Sequence, residues 1–261
     1  MIRTTFKSLT AVFILGFFII HSAVARALIS DPRNRRKFCI SNNSRYAAWL
    51  IYIFGVNINV LRKSQLPKTG ENRLIVCNHM SYLDVIIIQS VMPSVFVTSV
   101  EVQRTPILGI LCEMAGCLFV ERRNRDNIAN EIDEISMVLK DGMNVVIFPE
   151  GTSSNGERIL PFKVSMMDTA LLGGAHILPI CLKYTAIDGR KFGPENRDRV
   201  AYYGDMDFGS HFKKFLGLKS IFSEIEILDL VEVKEEENRK TLAKATYTRI
   251  CEAYGQNVTL T

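Results

Sequence analysis

The fold is decided by residues 73–92, RLIVCNHMSYLDVIIIQSVM. The first five residues are mostly apolar and predict a short buried strand over 73–77. A polar loop follows, and the apolar residues of 84–92 predict a helix. Because strand, loop and helix in this order form the repeating unit of a parallel sheet, the stretch predicts an α/β fold.

The same order of elements continues towards the end of the chain. Strands are predicted over 94–100, 116–121, 144–148, 177–184, 200–203 and 224–233. Helices are predicted over 102–114, with a break at Pro106, and over 126–140, 163–175 and 235–253. Pro179 lacks an N–H group, so the strand 177–184 is expected at an edge of the sheet or at an entry from a loop. We expect an α/β domain over 63–261, in which helices cover a mostly parallel central sheet.

Two apolar stretches precede this domain. Residues 8–25 carry no formal charge, and residues 46–61 contain Trp49, Tyr52 and Phe54, which favour membrane interfaces. The basic residues between them are Arg26, Arg33, Arg35, Arg36 and Lys37. Such a cluster favours the cytoplasmic side and anionic headgroups. We interpret 1–62 as a membrane-associated helical segment, which predicts a membrane protein with its domain on the cytoplasmic face.

Other interpretations also fit this N-terminal segment. The first stretch suits a cleaved signal peptide, since Arg3 and Lys7 supply a basic start and residues 23–25 resemble a cleavage site. The same stretch suits a helix that spans the bilayer or one that lies in its interface. The second stretch suits an ordinary helix that faces the core.

Charge and cysteine content narrow the class of protein. A formal net charge of +5 suits an anionic membrane or substrate but is too small to indicate binding of nucleic acid. The six cysteines form no C-x-x-C pair and lie mostly in apolar runs. We interpret them as reduced core residues, which agrees with a cytosol-facing domain.

His79 and Asp84 lie in the loop after the first predicted strand, where parallel sheets gather functional groups. Five residues apart on one helix they would point roughly 140° apart, so they meet only if His79 precedes the helix. Ser81 is a suitable N-cap for that arrangement. Imidazole removes a hydroxyl proton near neutral pH, and a carboxylate on its other nitrogen fixes the tautomer. In the simpler alternative, Asp84 only caps the helix together with Ser81, and His79 only bonds to loop carbonyls.

Two further blocks follow predicted strands at the same expected edge. Residues 148–156, FPEGTSSNG, contain glycines that let backbone N–H groups approach an anion, and Arg158 and Lys163 lie downstream. Residues 116–122, GCLFVER, end at Arg122, whose planar fork suits a phosphate. The simpler alternatives are a plain turn and a solvated arginine, for which Arg123 and Arg125 are equal candidates.

Four blocks in this order resemble the motifs of the glycerophospholipid acyltransferase family, which includes the 1-acylglycerol-3-phosphate acyltransferases. The family motifs are N-H-x-x-x-x-D, G-x-I-F-x-x-R, F-P-E-G-T-R-S and a short apolar-Pro-apolar element. The matching residues are Asn78, His79 and Asp84; Gly116, Phe119 and Arg122; 148–152 and Ser154; and Leu178, Pro179 and Ile180. The resemblance covers about residues 70–185.

The resemblance implies an O-acyltransferase that moves a fatty acyl group from acyl-CoA or acyl-carrier protein to the free hydroxyl of a lysolipid in phospholipid biosynthesis. It implies that His79 is the general base and that Asp84 orients it. The residues implied to bind the substrate are Arg122, Glu150, Gly151, Thr152 and Lys163. No metal or prosthetic group is expected, and membrane lipids are expected partners.

The acceptor that the resemblance implies first is 1-acyl-sn-glycerol-3-phosphate. Ser153 replaces the arginine of T-R-S, however, and that arginine often accompanies phosphate recognition. Another lysophospholipid or a lyso-ornithine lipid is therefore the alternative acceptor, unless Arg158 or Lys163 supplies the charge. A lipid hydrolase and a non-catalytic lipid-binding module are less favoured, since the chain has no G-x-S-x-G motif and keeps its His79/Asp84 pair.

Overall fold

Strands and helices alternate along most of the chain in the computed structural model, which describes residues 2–67, 70–121, 128–234 and 236–256. The helices are α1 (Ile2–Leu28), α2 (Pro32–Phe54), α3 (Tyr82–Val91), α4 (Val100–Gln103), α5 (Leu108–Ala115), α6 (Ile128–Lys140), α7 (Asp168–Gly173), α8 (Phe208–Leu216) and α9 (Arg239–Tyr254). The strands are β1 (Val56–Leu61), β2 (Arg73–Cys77), β3 (Val95–Ser99), β4 (Leu118–Val120), β5 (Val145–Ile147), β6 (His176–Ile187), β7 (Arg190–Lys191) and β8 (Ile221–Ile227). Short 3₁₀ turns cover Lys63–Gln65, Val164–Met167 and Arg197–Arg199.

The sheet is mostly parallel, as the sequence predicts. Its strand order is β1-β8-β6-β2-β5-β3-β4, with β7 paired to β6. β6 runs antiparallel to β8 and β7, whereas the other described pairs are parallel. β2 lies between β6 and β5, with Val76 in register with Ile147. The loops that follow β2 and β5 therefore leave the sheet side by side at its carboxyl edge.

Both faces of β2 are buried. Ile75 and Cys77 pack towards α2 and α3, whereas Leu74 and Val76 pack towards α6, α7 and α9. All four side chains are completely buried. Because a buried aliphatic side chain contributes about 1.5–3 kcal/mol, this packing fixes β2 in the centre of the sheet. All six cysteines are free, and four of them are buried, in agreement with the predicted reduced core residues.

Residues 56–61 form a strand, although we expected them in the membrane-associated helical segment. Gly55 ends α2 in the left-handed region at φ 72°, and a Cβ there would approach the carbonyl oxygen of Lys219 to 2.5 Å. The chain then enters β1, which pairs with β8 along its whole length. The sheet therefore begins before the predicted boundary at residue 63, while the division into two domains stays a prediction.

The strand predicted over 200–203 is wrong, since residues 200–203 form an irregular segment. Its backbone groups bond to loops instead of to a strand. The N–H of Tyr202 donates to the carbonyl of Met80 at 2.8 Å, and the hydroxyl of Ser81 donates to the carbonyl of Val200 at 2.6 Å. This segment therefore crosses over the loop that contains His79.

The expectation for Pro179 is also wrong, because β6 lies inside the sheet between β8 and β2. The carbonyl of Pro179 accepts from the N–H of Leu228 at 3.0 Å, just beyond the end of β8. The N–H and carbonyl of one strand residue point to the same side. The missing N–H group of Pro179 thus falls opposite irregular chain, where no ladder bond is lost. The predicted break at Pro106 is present, since α4 ends at Gln103 and α5 begins at Leu108.

Helix α1 packs along the domain at both of its ends. Near its start the ammonium of Lys7 donates to the carbonyls of Phe54 and Leu218 at 2.7 and 2.9 Å. Near its end Arg26 donates to the carbonyl of Glu113 at 3.2 Å. Among the described helices, α1 alone is long and apolar enough to cross a membrane. The large apolar side chains that it exposes are Phe6, Leu9, Val12, Phe13, Phe17, Ile20, Val24 and Leu28.

Helix α2 has one face in the core and one face exposed. Leu50, Ile51 and Phe54 are buried in the same cluster as α3, whereas Trp49 and Tyr52 are exposed. The alternative interpretation of this stretch, an ordinary helix that faces the core, therefore holds for the buried face.

Candidate active site

The loop after β2 begins at a side-chain bridge between two strands. The amide of Asn78 donates to the carbonyl of Leu182 at 2.9 Å and accepts from its N–H at 2.8 Å. The Asn78 side chain therefore forms the hydrogen bonds with the β6 backbone at the position where β2 ends. We call residues 78–81 the His79 loop.

His79 and Asp84 are in direct contact. His79 Nδ1 lies 2.9 Å from Asp84 Oδ2, which also accepts the N–H groups of Met80 and Ser81 at 2.7 and 2.9 Å. Ser81 is the N-cap of α3, and it forms a capping box with Asp84. The predicted geometry, with His79 before the helix and Asp84 in its first turn, is confirmed. Capping and pairing with His79 are not alternatives, because one carboxylate oxygen does both.

The orientation of the imidazole follows from these contacts. A carboxylate only accepts hydrogen bonds, so Nδ1 of His79 carries the hydrogen and Nε2 keeps a free lone pair. The ring stacks on Phe148 with centroids 4.1 Å apart and planes at 18°. The His79 side chain is 20% exposed and Asp84 is completely buried. The arrangement thus presents a base at the surface and keeps its carboxylate away from water.

Tyr184 is a member of this site that the sequence analysis missed. Its hydroxyl donates to the other oxygen of Asp84, Oδ1, at 2.5 Å. The sequence holds one indication of it, because Tyr184 is the polar last residue of the predicted apolar strand 177–184. Only the register of β6 beside β2 shows that this hydroxyl reaches Asp84.

The loop after β5, residues 148–163, which we call the Gly151 loop, is tied to the His79 loop. Glu150 accepts from the N–H of His79 through Oε1 and from the N–H of Leu160 through Oε2, both at 2.7 Å. The N–H of Ser154 donates to the carbonyl of His79 at 2.9 Å. Burial raises the pKa of Glu150 to about 7. Glu150 therefore joins the two loops, and its direct contact with substrate stays a prediction.

Gly151 makes room for a cation. Its φ is 73°, and a Cβ would lie 2.7 Å from Nζ of Lys163. Its N–H donates to the carbonyl of Phe148 at 3.0 Å, so this N–H completes a turn instead of pointing at an anion as we expected of the loop. Lys163 and Thr152 are both exposed beside it. The loop thus offers an exposed ammonium group, held at its backbone by a 2.8 Å bond from Lys163 N–H to the carbonyl of Pro149.

Arg122 and Ser153 are the two remaining positions of the predicted motifs. Arg122 lies outside the described residues, so its predicted binding of substrate stays a prediction. The hydroxyl of Ser153 donates to the carbonyl of Tyr202 at 2.5 Å. Where the family motif has an arginine, this chain thus has a short side chain engaged with the segment that crosses the His79 loop.

Known proteins resemble this chain in sequence. A family model described as Acyltransferase matches residues 57–183. The lyso-ornithine lipid O-acyltransferase of Brucella abortus is 31% identical over 210 residues, which cover 76% of each chain. The enzyme of the same name from Rhizobium meliloti is 31% identical over 184 residues, and the match spans 68% of this chain but 63% of that protein. The 1-acyl-sn-glycerol-3-phosphate acyltransferase of Neisseria gonorrhoeae is 27% identical over 67% of each chain.

A solved structure resembles the fold. The crystal structure of the 1-acyl-sn-glycerophosphate acyltransferase PlsC from Thermotoga maritima matches 99% of this chain and 97% of its own, with a TM-score of 0.64 at 20% identity. At that identity the likeness concerns the fold. The family is shown by the Brucella abortus relative, and the family model agrees: the chain belongs to the acyltransferase family that includes these lyso-ornithine lipid and 1-acyl-sn-glycerol-3-phosphate acyltransferases.

Proposed function

We propose that the protein is an O-acyltransferase that moves a fatty acyl group from an acyl thioester to the free hydroxyl of a lysolipid, in phospholipid synthesis. The observation that carries the proposal is the 2.9 Å contact of His79 Nδ1 with Asp84, which leaves Nε2 of this partly exposed ring as the base. Family membership supplies the reaction class.

The chemistry follows from this orientation. Nε2 of His79 takes the proton of the acceptor hydroxyl as its oxygen attacks the thioester carbonyl. The C–S bond then breaks, the thiolate leaves, and the imidazolium returns the proton to sulfur. Asp84 stabilises the imidazolium between these two steps. The thioester brings its own reactive carbonyl, so the expectation that no prosthetic group is needed remains part of the proposal, with acyl-CoA or acyl-carrier protein as donor.

The Gly151 loop is proposed to hold the charged end of the acceptor. Lys163 supplies an exposed ammonium group beside Gly151 and Thr152. Arg122 is assigned to the same task by its motif alone. A cation on the loop that Glu150 ties to His79 positions an anionic headgroup so that its hydroxyl reaches His79.

The acceptor is 1-acyl-sn-glycerol-3-phosphate or, as the alternative, another lysophospholipid or a lyso-ornithine lipid. 1-Acyl-sn-glycerol-3-phosphate follows from the motifs and from the Neisseria gonorrhoeae relative, whereas a lyso-ornithine lipid is favoured by Ser153, which carries no charge and bonds to Tyr202. Purified protein should be assayed with labelled acyl-CoA and a panel of lysolipids. A diacylated product would identify acyl transfer, and the lysolipid with the highest kcat/KM would identify the acceptor. Free fatty acid as the sole product would indicate a hydrolase and contradict the proposal.

We further propose that α1 lies in the membrane interface on the cytoplasmic side. Both ends of α1 bond to the same domain, through Lys7 and Arg26, so the helix lies along the protein instead of leaving it. Its exposed apolar side chains form a surface that acyl chains cover, and the basic cluster after it suits anionic headgroups.

The membrane proposal is tested by co-sedimentation with anionic vesicles. Phe13→Asp together with Phe17→Asp should release most of the protein, because both rings are exposed on α1. Lys244→Asp, at an exposed position of α9, is the matched control and should stay bound. Protection of α1 from protease in right-side-out vesicles but not in inverted ones would support the cytoplasmic face, and the reverse pattern would contradict it.

A further inference from the structure

Asp84 is held by donors on both of its oxygens, and one of these donors is a phenol. Oδ2 faces His79, whereas Oδ1 accepts from the hydroxyl of Tyr184 at 2.5 Å. Tyr184 is 4% exposed and Asp84 is completely buried. Tyr184 therefore lies behind the carboxylate, away from the exposed side of the imidazole, and does not reach the place where substrate meets His79.

The position of Tyr184 is built into β6. Ile180, Leu182 and Tyr184 pack in the same cluster as Leu83 of α3, so they share the face of the sheet that α3 covers. The pairing of β6 with β8 shifts between Tyr184 and Ala186, which leaves an extra residue next to the tyrosine. Such bulges re-aim side chains beside active sites.

We infer that Tyr184 is a positioning residue that sets the basicity of His79 through Asp84. Its hydroxyl holds the carboxylate in the orientation that points Oδ2 at Nδ1 and draws negative charge towards Oδ1. The inference rests on the proposed function, in which His79 is the general base.

The direction of the effect follows from electrostatics. A donor on Oδ1 stabilises the carboxylate and leaves less charge on Oδ2, so the imidazolium gains less from it. Without that donor, charge concentrates on Oδ2, which stabilises the imidazolium relative to the neutral ring. Burial, and then the charge of Asp84, raise the pKa of Tyr184 itself well above its ordinary value, so the hydroxyl stays a donor throughout the working range.

Other titratable groups surround this pair. Those facing it, besides His79, are Cys77 of β2, Tyr82 of α3, Glu150 of the Gly151 loop and Tyr254 of α9. Burial raises the pKa values of Cys77, Tyr82 and Tyr254, so these groups stay neutral near pH 7. Glu150, with a pKa of about 7, titrates in the same range as an imidazole. The test therefore compares Tyr184 variants also in a Glu150→Gln background.

The first measurement needs no turnover. Diethyl pyrocarbonate modifies neutral histidine, and peptide mass spectrometry resolves the four histidines of the chain, so the pH dependence of labelling reports the pKa of each. In Tyr184→Phe the midpoint of the pH-labelling curve of His79 should rise by about 0.5–1 pH unit. The same rise is expected in the Glu150→Gln background, and the curve of His176 should not move. Tyr82→Phe is the matched control, since it removes a neighbouring hydroxyl that bonds to His211 and leaves Asp84 untouched. An unshifted His79 in Tyr184→Phe would overturn the inference whether or not the protein transfers acyl groups.

The second measurement concerns the rate of transfer. In Tyr184→Phe the acidic limb of the kcat profile should move up by the same amount. At its plateau kcat should fall about tenfold, with KM for the acceptor unchanged, because the carboxylate is then held through Oδ2 alone and orients the imidazole less firmly. In an Asp84→Asn background, Tyr184→Phe should cause no further fall, since the tyrosine acts through Asp84. An additional fall there would indicate a merely structural part for Tyr184 and would also overturn the inference.

A third variant provides a test if Tyr184→Phe folds poorly. 3-Fluorotyrosine placed at position 184 keeps the ring and the hydrogen bond but donates more strongly. It should lower the midpoint of His79, the opposite sign to Tyr184→Phe. A midpoint that does not move, or moves up, would contradict the inference. Absence of transfer in the wild type would instead refute the proposed function and leave the labelling result to decide on Tyr184.

Discussion

Asp84 and Glu150 are two buried carboxylates at one edge of the sheet, and their partners differ. Asp84 accepts from an imidazole, a phenol and two backbone N–H groups, whereas Glu150 accepts from two backbone N–H groups in separate loops. Asp84 is therefore joined to the imidazole that we propose as the base, while Glu150 joins two segments of backbone. Two buried carboxylates thus differ in what they hold together, and the difference lies in their hydrogen-bond donors.

The largest effect is expected from removing the base that Asp84 serves. His79→Ala should lower the rate of transfer by about 10⁴, because no other described side chain occupies the position of Nε2. The thermal unfolding midpoint should change little, since the ring is partly exposed. His176→Ala, at the start of β6, is the matched control and should keep most activity. Near-normal rates in His79→Ala would refute the assignment of the base.

Asp84→Asn tests the Asp84 side of the comparison and should lower kcat by about 10³. The amide oxygen still accepts backbone N–H groups, so the helix cap survives while the imidazolium loses its counter-charge. Asp207→Asn is the control, because Asp207 caps α8 through the N–H of Ser210 at 2.8 Å and faces no imidazole. If both variants lose equally little activity, Asp84 is a cap alone and the comparison with Glu150 collapses.

Glu150→Gln tests the Glu150 side of the comparison, and the quantity measured is the free energy of unfolding. Burial raises the folded-state pKa of Glu150 to about 7, above an unfolded value of about 4.3. The folded state therefore binds the proton more tightly, and stability from this group is fully present below about pH 4.3 and is lost as pH rises through about 7. The loss amounts to about 4 kcal/mol, and Glu150→Gln should lack it.

The measurement is the difference in free energy of unfolding between Glu150→Gln and wild type, from denaturant titrations at several pH values. That difference should shift in favour of the variant between about pH 4.3 and 8. Parallel curves over this range would show that Glu150 is ionised in the folded protein throughout, like an ordinary exposed carboxylate.

The smallest effect is expected at the exposed end of the Gly151 loop. Lys163→Met should raise KM for an anionic lysolipid about tenfold and leave the unfolding midpoint unchanged, because the ammonium is exposed. Lys244→Met, exposed on α9, is the control. An unchanged KM in Lys163→Met would shift the task of binding the headgroup to Arg122.

The contacts at His79 were predictable because they are local. A strand that ends at Cys77, a cap at Ser81 and a carboxylate in the first turn of α3 fix the distance from His79 to Asp84 within seven residues of chain. The same local order predicts the alternation of strands and helices. The resemblance of the motifs then supplied the roles, which the geometry alone does not assign.

The sequence by itself thus determined the α/β order, the His79–Asp84 pair and the family. The tertiary structure decided that Tyr184, 100 residues from Asp84, completes its hydrogen bonds, that Glu150 ties two loops together, and that residues 56–61 form a strand. Capping and periodicity act over a few residues and leave a mark in the sequence. Contacts between strands depend on which strands are neighbours and in what register. Many different sequences are compatible with one register, so these contacts cannot be read from a short stretch of sequence.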